Sequence, residues 1–231
     1  MIDYKPSIAI VDYGLGNLFS IKQACLFVGL NAVITHAREE ILAADGVILP
    51  GVGAYGDAVD TLRRLDLISV LRDIAFSSKP LVGICLGMQL LMTESYEFGR
   101  HKGLDIIAGP VNRFENPKDK DRLLKVPQIG WNRIFPAYEG ASWQGTPLQE
   151  IGEGEYMYFV HSYIVQPQDE EVILSRSRYG HIDFCSGVRR KNVYAFQFHP
   201  ERSGPAGLKI YLNLRKELEK ARENNEYKDG D

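Results

Sequence analysis

The chain has 231 residues, a net charge of −3, 45% apolar and 25% charged residues. That composition suits one domain, spanning 1–231, with a proper core, and it offers no basic face for nucleic acid or an anionic membrane surface. Three scattered cysteines, Cys25, Cys85 and Cys185, form no CxxC pair, so neither a disulfide framework nor a zinc site is expected and a reducing cytoplasm fits. No apolar run is long enough to span a bilayer, and the start, Lys5-Pro6-Ser7, lacks a signal-peptide layout.

Ile8 to Val11 reads as a short buried strand, followed by the turn Asp12-Tyr13-Gly14-Leu15-Gly16-Asn17. A helix then opens with Asn17 as N-cap; Leu18, Ile21, Cys25 and Val28 share one face, and Gly29 is placed to stop it. Ala32 to Thr35 and Gly46 to Leu49 are the next strands, and Pro50 to Gly56 is a glycine-rich loop. Amphipathic segments over Asp57 to Leu65 and Leu67 to Ala75 precede a fourth strand, Leu81 to Ile84, and a helical run, Leu86 to Met92. Strands alternating with helices predict an α/β fold: a mostly parallel central sheet with helices on both faces.

The second half reads differently. Ile106-Ile107, Val111 to Phe114, Gly130 to Phe135, Tyr156 to Val160, Val172 to Ser175, Asp183 to Val188 and Val193 to Phe198 are strand-like, which predicts antiparallel additions to the sheet. Glu115 to Arg122 and Tyr138 to Gly154 read as solvated loops. Leu208, Tyr211, Leu212, Leu214 and Leu218 set a last helix against the body, and the polar segment 222–231 is expected to fray.

An apolar strand that breaks at Cys85 into a helix, with Gly83 and Gly87 two residues to either side, has the layout of a nucleophile elbow. Free N–H groups at the start of the following helix favour a thiolate there; a small buried cysteine at a strand end is the plain alternative. Gly51-Val52-Gly53-Ala54-Tyr55-Gly56 matches GxGxxG, but after the third strand, and no acid ends the second, which speaks against a dinucleotide site. The other reading is a pliable strand whose N–H groups, with that of Leu86, make an oxyanion hole beside Cys85. In Gln197-Phe198-His199-Pro200-Glu201, His199 and Glu201 can lean to one side, Glu201 orienting His199 and His199 serving Cys85. An exposed His and Glu in a turn would look the same. His36, His101 and His181 lie in polar or loop contexts; His161 ends a strand, as a site residue or a core histidine. No two histidines have ligand spacing, so no metal is expected, and no cofactor. The aromatics Tyr156, Tyr158 and Phe159 read as core.

Gly83-Ile84-Cys85-Leu86-Gly87-Met88-Gln89 with Phe198-His199-Pro200-Glu201 downstream resembles the class I glutamine amidotransferases. Asp12 to Leu18, Gly130-Trp131-Asn132 and His199 to Gly204 narrow the likeness to the branch of glutaminase subunits of imidazole glycerol phosphate synthase, over about Ile8 to Leu214. Segments 115–122 and 138–155 are longer than the family needs, and Gln128 stands where histidine is expected. The resemblance implies Cys85, His199 and Glu201 as catalytic triad, and an oxyanion hole from the N–H groups of Leu86 and Val52 between Gly51 and Gly53. It implies L-glutamine held by Gly51, Gly53, Gln89, Glu97, Ser162 and Tyr163, with Glu97 on the α-ammonium. Ammonia becomes non-nucleophilic ammonium in neutral water, so an acceptor enzyme must dock over the site. The implied partner is a (β/α)8 cyclase subunit in a heterodimer, with Trp131 and Asn132 at the contact; Trp131 as an ordinary core residue is the other reading. The pathway so implied is histidine biosynthesis. A paralogue feeding another acceptor, such as a surface-polysaccharide sugar, a catalytically idle binding subunit and a thiol hydrolase of other substrates are the alternatives.

Overall fold

A computed structural model describes residues 4–226. The first half runs β1 (Ser7–Val11), α1 (Leu18–Phe27), β2 (Asn31–Thr35), α2 (Arg38–Ala43), β3 (Gly46–Leu49), α3 (Tyr55–Arg64), α4 (Leu67–Ala75), β4 (Leu81–Ile84) and α5 (Leu86–Leu90). The second half adds β5 (Met92–Ser95), β6 (His101–Lys102), β7 (Ile107–Arg113), β8 (Lys118–Asp119), β9 (Arg122–Leu123), β10 (Gln128–Arg133) and β11 (Phe135–Pro136). It continues with β12 (Tyr156–His161), β13 (Tyr163–Val165), β14 (Ile173–Tyr179), β15 (Ile182–Arg190), β16 (Val193–Phe196) and α6 (Gly204–Glu226).

The main sheet is ordered β2-β1-β3-β4-β16-β15-β13-β7-β5-β6, with β14 on β15 and β11 on β14. From β2 through β16 the neighbours are parallel; β15, β13 and β14 join antiparallel. The central strands are buried on both sides. Ala9, Val47, Leu49 and Leu81 face one hydrophobic layer with α3 and α4, while Ile8, Ile10, Ile48 and Val82 face another with α1 and α6. This alternation is the strand period of two, and it is why these segments read as continuous apolar runs. β10 and β12 form a separate two-stranded ribbon.

Several expectations are corrected. Asn17 does not cap α1 with its side chain. The helix after Cys85 stops at Leu90 and Met92 already belongs to β5, so the apolar run Leu90-Leu91-Met92 divides between two elements. β16 ends at Phe196, not Phe198. The 138–154 segment is no solvated loop: Trp143, Leu148 and Ile151 are buried in the layer beneath α6, and the Trp143 indole N–H donates to the Leu174 carbonyl at 2.8 Å. The charged 115–122 segment is exposed except at Pro117, and it carries part of the small β8–β9 hairpin. On α6, Tyr211, Leu214 and Leu218 are buried as expected, but Leu212 faces solvent. The helix continues through 222–226, where fraying was expected; the rest of that tail lies outside the described residues.

Candidate active site

β4 and β16 are parallel neighbours with Ile84 beside Phe196, so the residues that follow them emerge at the same sheet edge. The Cys85 N–H donates to the Phe196 carbonyl at 2.8 Å. This pairing brings the Cys85 turn against Gln197-Phe198-His199 across more than a hundred residues of chain. The loops after β1 and β3 leave by the same edge, the usual place for a site in an open α/β sheet.

Cys85 has φ +54° and ψ −108°. A non-glycine residue with that backbone is strained, and it persists only because its surroundings over-determine it. Gly87 shows how: a Cβ there would sit 1.9 Å from the Leu49 carbonyl oxygen. The first turn of α5 therefore packs directly on the end of β3, and the sulfur is turned out of the sheet. Cys85 is 6% exposed. Its Sγ is 3.8 Å from the Val160 carbonyl and 3.7 Å from Nε2 of Gln197.

His199 leads into a short 3-10 turn, Pro200–Arg202. Its Nδ1 lies 2.9 Å from Glu201 Oε1, and both side chains are essentially buried. Burial of the ring opposes its charge, but the polar neighbours Cys85 and Glu201 outweigh that and push His199 up to about 10. Nε2, the nitrogen away from Glu201, is buried without a partner in hydrogen-bond geometry. The turn is knitted by Ser203, whose hydroxyl donates to the His199 carbonyl at 2.7 Å and accepts from the Tyr158 N–H at 3.0 Å. Asn17, freed from capping, directs its Nδ2 to Glu201 Oε1 at 3.5 Å.

A cavity of about 280 Å³ opens beside the sulfur, lined by Val52, Gly53, Cys85, Leu86, Gln89, Glu97, Pro127, Val160, His161, Ser162 and Tyr163. The structure thus gathers nearly every residue expected to hold substrate around one space. Gly51 is the exception: it lies behind the wall, where a Cβ would strike the Tyr13 hydroxyl and Leu86. Glu97 Oε2 accepts from the Tyr55 N–H at 2.7 Å, at the start of α3. His161 is pushed down to about 4, first by burial and then by the nearby His199, against its bond to the Tyr163 carbonyl. It is a neutral core histidine forming part of the cavity wall.

The expected oxyanion hole is not assembled. The Leu86 N–H donates to the Gly51 carbonyl at 3.3 Å. Carbonyl and N–H of a trans peptide point in opposite directions, so the Val52 N–H faces away from Leu86. The preceding peptide is pinned by Tyr13, a buried phenol whose hydroxyl donates to the Pro50 carbonyl at 2.6 Å. Burial and the nearby Cys85 push that phenol up, so it remains a donor. Tyr13 drew no role from the sequence, and neither did Gln197. Both sit inside motifs flanking the site, and in each case only the fold shows which polar atom the side chain meets.

Trp131 and Asn132 lie away from the cavity on the β10–β12 ribbon. Trp131 is 56% exposed, which rules out the core reading, and it meets Tyr158 edge-on at 6.0 Å. The Arg202 guanidinium stands 4.9 Å over the same Tyr158 ring. Asn132 Nδ2 donates to the Arg178 carbonyl at 2.8 Å. Phe159 is core as expected, whereas Tyr156 is exposed. Gln128 is buried opposite His161 in the ribbon register.

Comparison with known proteins agrees with this geometry. The family model described as glutamine amidotransferase class-I matches residues 9–215. The imidazole glycerol phosphate synthase subunit HisH of Aquifex aeolicus is 42% identical, covering 91% of this chain and 97% of that protein. The HisH subunit of Sulfurimonas denitrificans is 44% identical, covering 90% and 97%. Among solved structures, PurLQS from Thermotoga maritima superposes with a TM-score of 0.69 at 20% identity, covering 93% of this chain and 100% of that one, a likeness of fold alone. The match over residues 9–215 and these near-full-length relatives show that the chain belongs to the class-I glutamine amidotransferase family, among the HisH subunits of imidazole glycerol phosphate synthase.

Proposed function

We infer that the chain is the glutaminase subunit of an imidazole glycerol phosphate synthase, releasing ammonia from L-glutamine for a partner cyclase subunit of (β/α)8 fold in histidine biosynthesis. The observation that carries this is the placement of a strained, outward-turned Cys85 against the buried His199–Glu201 pair, beside a cavity of amino-acid size.

In the reaction, the Cys85 sulfur, its proton handed to His199 Nε2, attacks the side-chain amide carbon of glutamine as a thiolate. Glu201 holds Nδ1 and balances the imidazolium. The C–N bond breaks as His199 returns the proton to the departing ammonia, leaving a glutamyl thioester. Water, deprotonated by His199, then hydrolyses the thioester to glutamate. Gln89, Glu97 and the backbone at Ser162 and Tyr163 hold the substrate's distal end. The oxyanion is stabilised once the Gly51–Val52 peptide rotates, which frees the Leu86 N–H and turns that of Val52 inward. That rotation turns ψ of Gly51 and φ of Val52, and the glycines on either side, Gly51 and Gly53 (φ +99°), let the loop adjust to it because glycine tolerates both signs of φ. The exposed ribbon with Trp131 and Asn132 supplies the partner contact. Three unpaired cysteines fit a reducing cytoplasm, and no helix among the described residues is long and apolar enough to cross a membrane.

The test is glutamate release by the full chain with and without its native co-purifying partner and that partner's nucleotide substrate. Release should rise in the complex, and Cys85→Ala should lower it at least about a thousandfold while synthesis from added ammonium persists. Glutamate release by Cys85→Ala, or a partner without cyclase activity, would overturn the reading.

A further inference from the structure

Gln197 follows β16 directly and is fully buried. Its backbone N–H is spent on the Ser186 carbonyl at 2.9 Å. Its side chain lies between Gln89 and Cys85, and the direction of each amide follows from one fixed atom. The Tyr163 carbonyl can only accept, so the Gln89 atom 3.2 Å away must be Nε2. That same Nε2 lies 3.0 Å from Gln197, so the Gln197 atom facing it must be Oε1. The opposite end of the Gln197 amide, Nε2, is then the atom 3.7 Å from the Cys85 sulfur. Reversing Gln197 would set donor against donor, and reversing Gln89 acceptor against acceptor, in a buried site, leaving polar atoms unsatisfied at a cost of about 1–3 kcal/mol. A single backbone carbonyl therefore fixes the polarity of a chain of bonds that ends on the nucleophile with an N–H.

Besides His199, the sulfur has two polar neighbours, which favour opposite states. The Val160 carbonyl, at 3.8 Å, can accept from a thiol but repels a thiolate. The Gln197 N–H donates, so it gains strength as negative charge gathers on sulfur. When the proton leaves, the first contact is lost and the second tightens.

We propose that Gln197 is a further catalytic residue: its Nε2–H hydrogen-bonds the Cys85 sulfur as the proton moves to His199, holding the thiolate on line with the cavity. The S–H bond breaks, its electron pair stays on sulfur, the proton goes to His199, and the Gln197 amide neither gains nor loses a proton. Gln197 also occupies a hydrogen of Gln89 Nε2 while the Tyr163 carbonyl takes the other. Gln89 then has only its Oε1 to offer across the cavity. The remaining titratable groups in electrostatic reach of the sulfur are His199, on the turn after β16, and Tyr13, on the loop after β1. Both are retained in the variants below.

The inference rests on Cys85 as the nucleophile, so its test reads the thiol rather than turnover. Full-length wild type, Gln197→Leu and Gln197→Glu are treated with iodoacetamide from about pH 6 to about pH 9, the window around an ordinary thiol's ionisation. Alkylation at Cys85 is followed by peptide mass spectrometry, with folding checked by circular dichroism. Gln197→Leu removes the donor and should react about tenfold more slowly near neutrality, the gap closing in alkali where a thiol ionises unaided. Gln197→Glu retains the oxygen that accepts from Gln89 and loses the N–H at sulfur, so it should also react more slowly while the KM for glutamine changes little. If Gln197→Leu fails to fold, Gln197→Glu decides. A folded variant that alkylates at the wild-type rate near neutrality overturns the proposal, as does slowing by one factor at every pH, which marks altered access. Absence of glutamate release from the wild-type complex would sink the glutaminase reading without touching this comparison of thiol rates.

Discussion

At the Cys85 elbow and on the β10–β12 ribbon the same chain obeys opposite constraints. Around the elbow, φ is +54° and a single added methyl at Gly87 would lie 1.9 Å from a backbone oxygen. On the ribbon, Ile129, Trp131 and Tyr156 are 64%, 56% and 46% exposed, and a Cβ at Gly130 would meet nothing within 4 Å. The elbow is held in an unfavourable conformation by its neighbours; the ribbon offers apolar surface that the described chain leaves uncovered. The contrast separates what the interior dictates from what an outside surface must complete.

The largest break in that contrast comes from Gly87→Ala. With backbone in the way, the elbow must shift, and urea unfolding should show a loss of about 3 kcal/mol or failure to fold. Wild-type stability in this variant would mean that the elbow is looser than its contacts imply. The electrostatic hold on His199 gives a smaller, pH-dependent effect. Its folded-state value, about 10, lies above the ordinary 6.5, so the stability it contributes is complete below about pH 6.5 and is lost as pH rises through about 10. Urea titrations should show wild type losing more stability than His199→Asn across that window; equal losses would deny the imidazolium its role. The smallest effect belongs to the ribbon. Trp131→Ala should change stability by no more than about 0.5 kcal/mol, while lowering affinity for the partner in a binding titration. A variant that unfolds would return Trp131 to the interior.

What was legible in the sequence follows the same division. Cys85 between two glycines, and His199 two residues before Glu201, are local arrangements whose chemistry is short-range, so they could be read without the fold. The core faces of β1, β3 and α4 were legible because their apolar period is uninterrupted. α2 has six residues and one buried side chain, Ile41, too short for a period to register. β5 was hidden because Leu91 and Met92 suit a helix or a strand equally. Trp143, set among glycines, prolines and polar residues, gave no sign that its loop folds back under α6. Asn17 has the chemistry of a helix cap, and only the nearness of the His199 turn, from the other end of the chain, shows that its amide turns to Glu201 instead. Trp131 illustrates the converse: large aromatic residues favour interiors on average, and its position on a detached ribbon decides otherwise.

On the mechanism proposed above, the bond between the Gly51 carbonyl and the Leu86 N–H would make the uncomplexed subunit its own inhibitor. The atom that would fill the oxyanion's seat belongs to the main chain, and the nearest side chain steadying that stretch is Tyr13, through the Pro50 carbonyl. Freeing the Leu86 N–H costs one ordinary hydrogen bond, about 1 kcal/mol, plus the strain of two rotated dihedrals. That sum is small enough for a docking partner to supply and large enough to keep glutamine from being wasted when no acceptor is waiting. Idle and working enzyme would then differ by the orientation of one peptide plane.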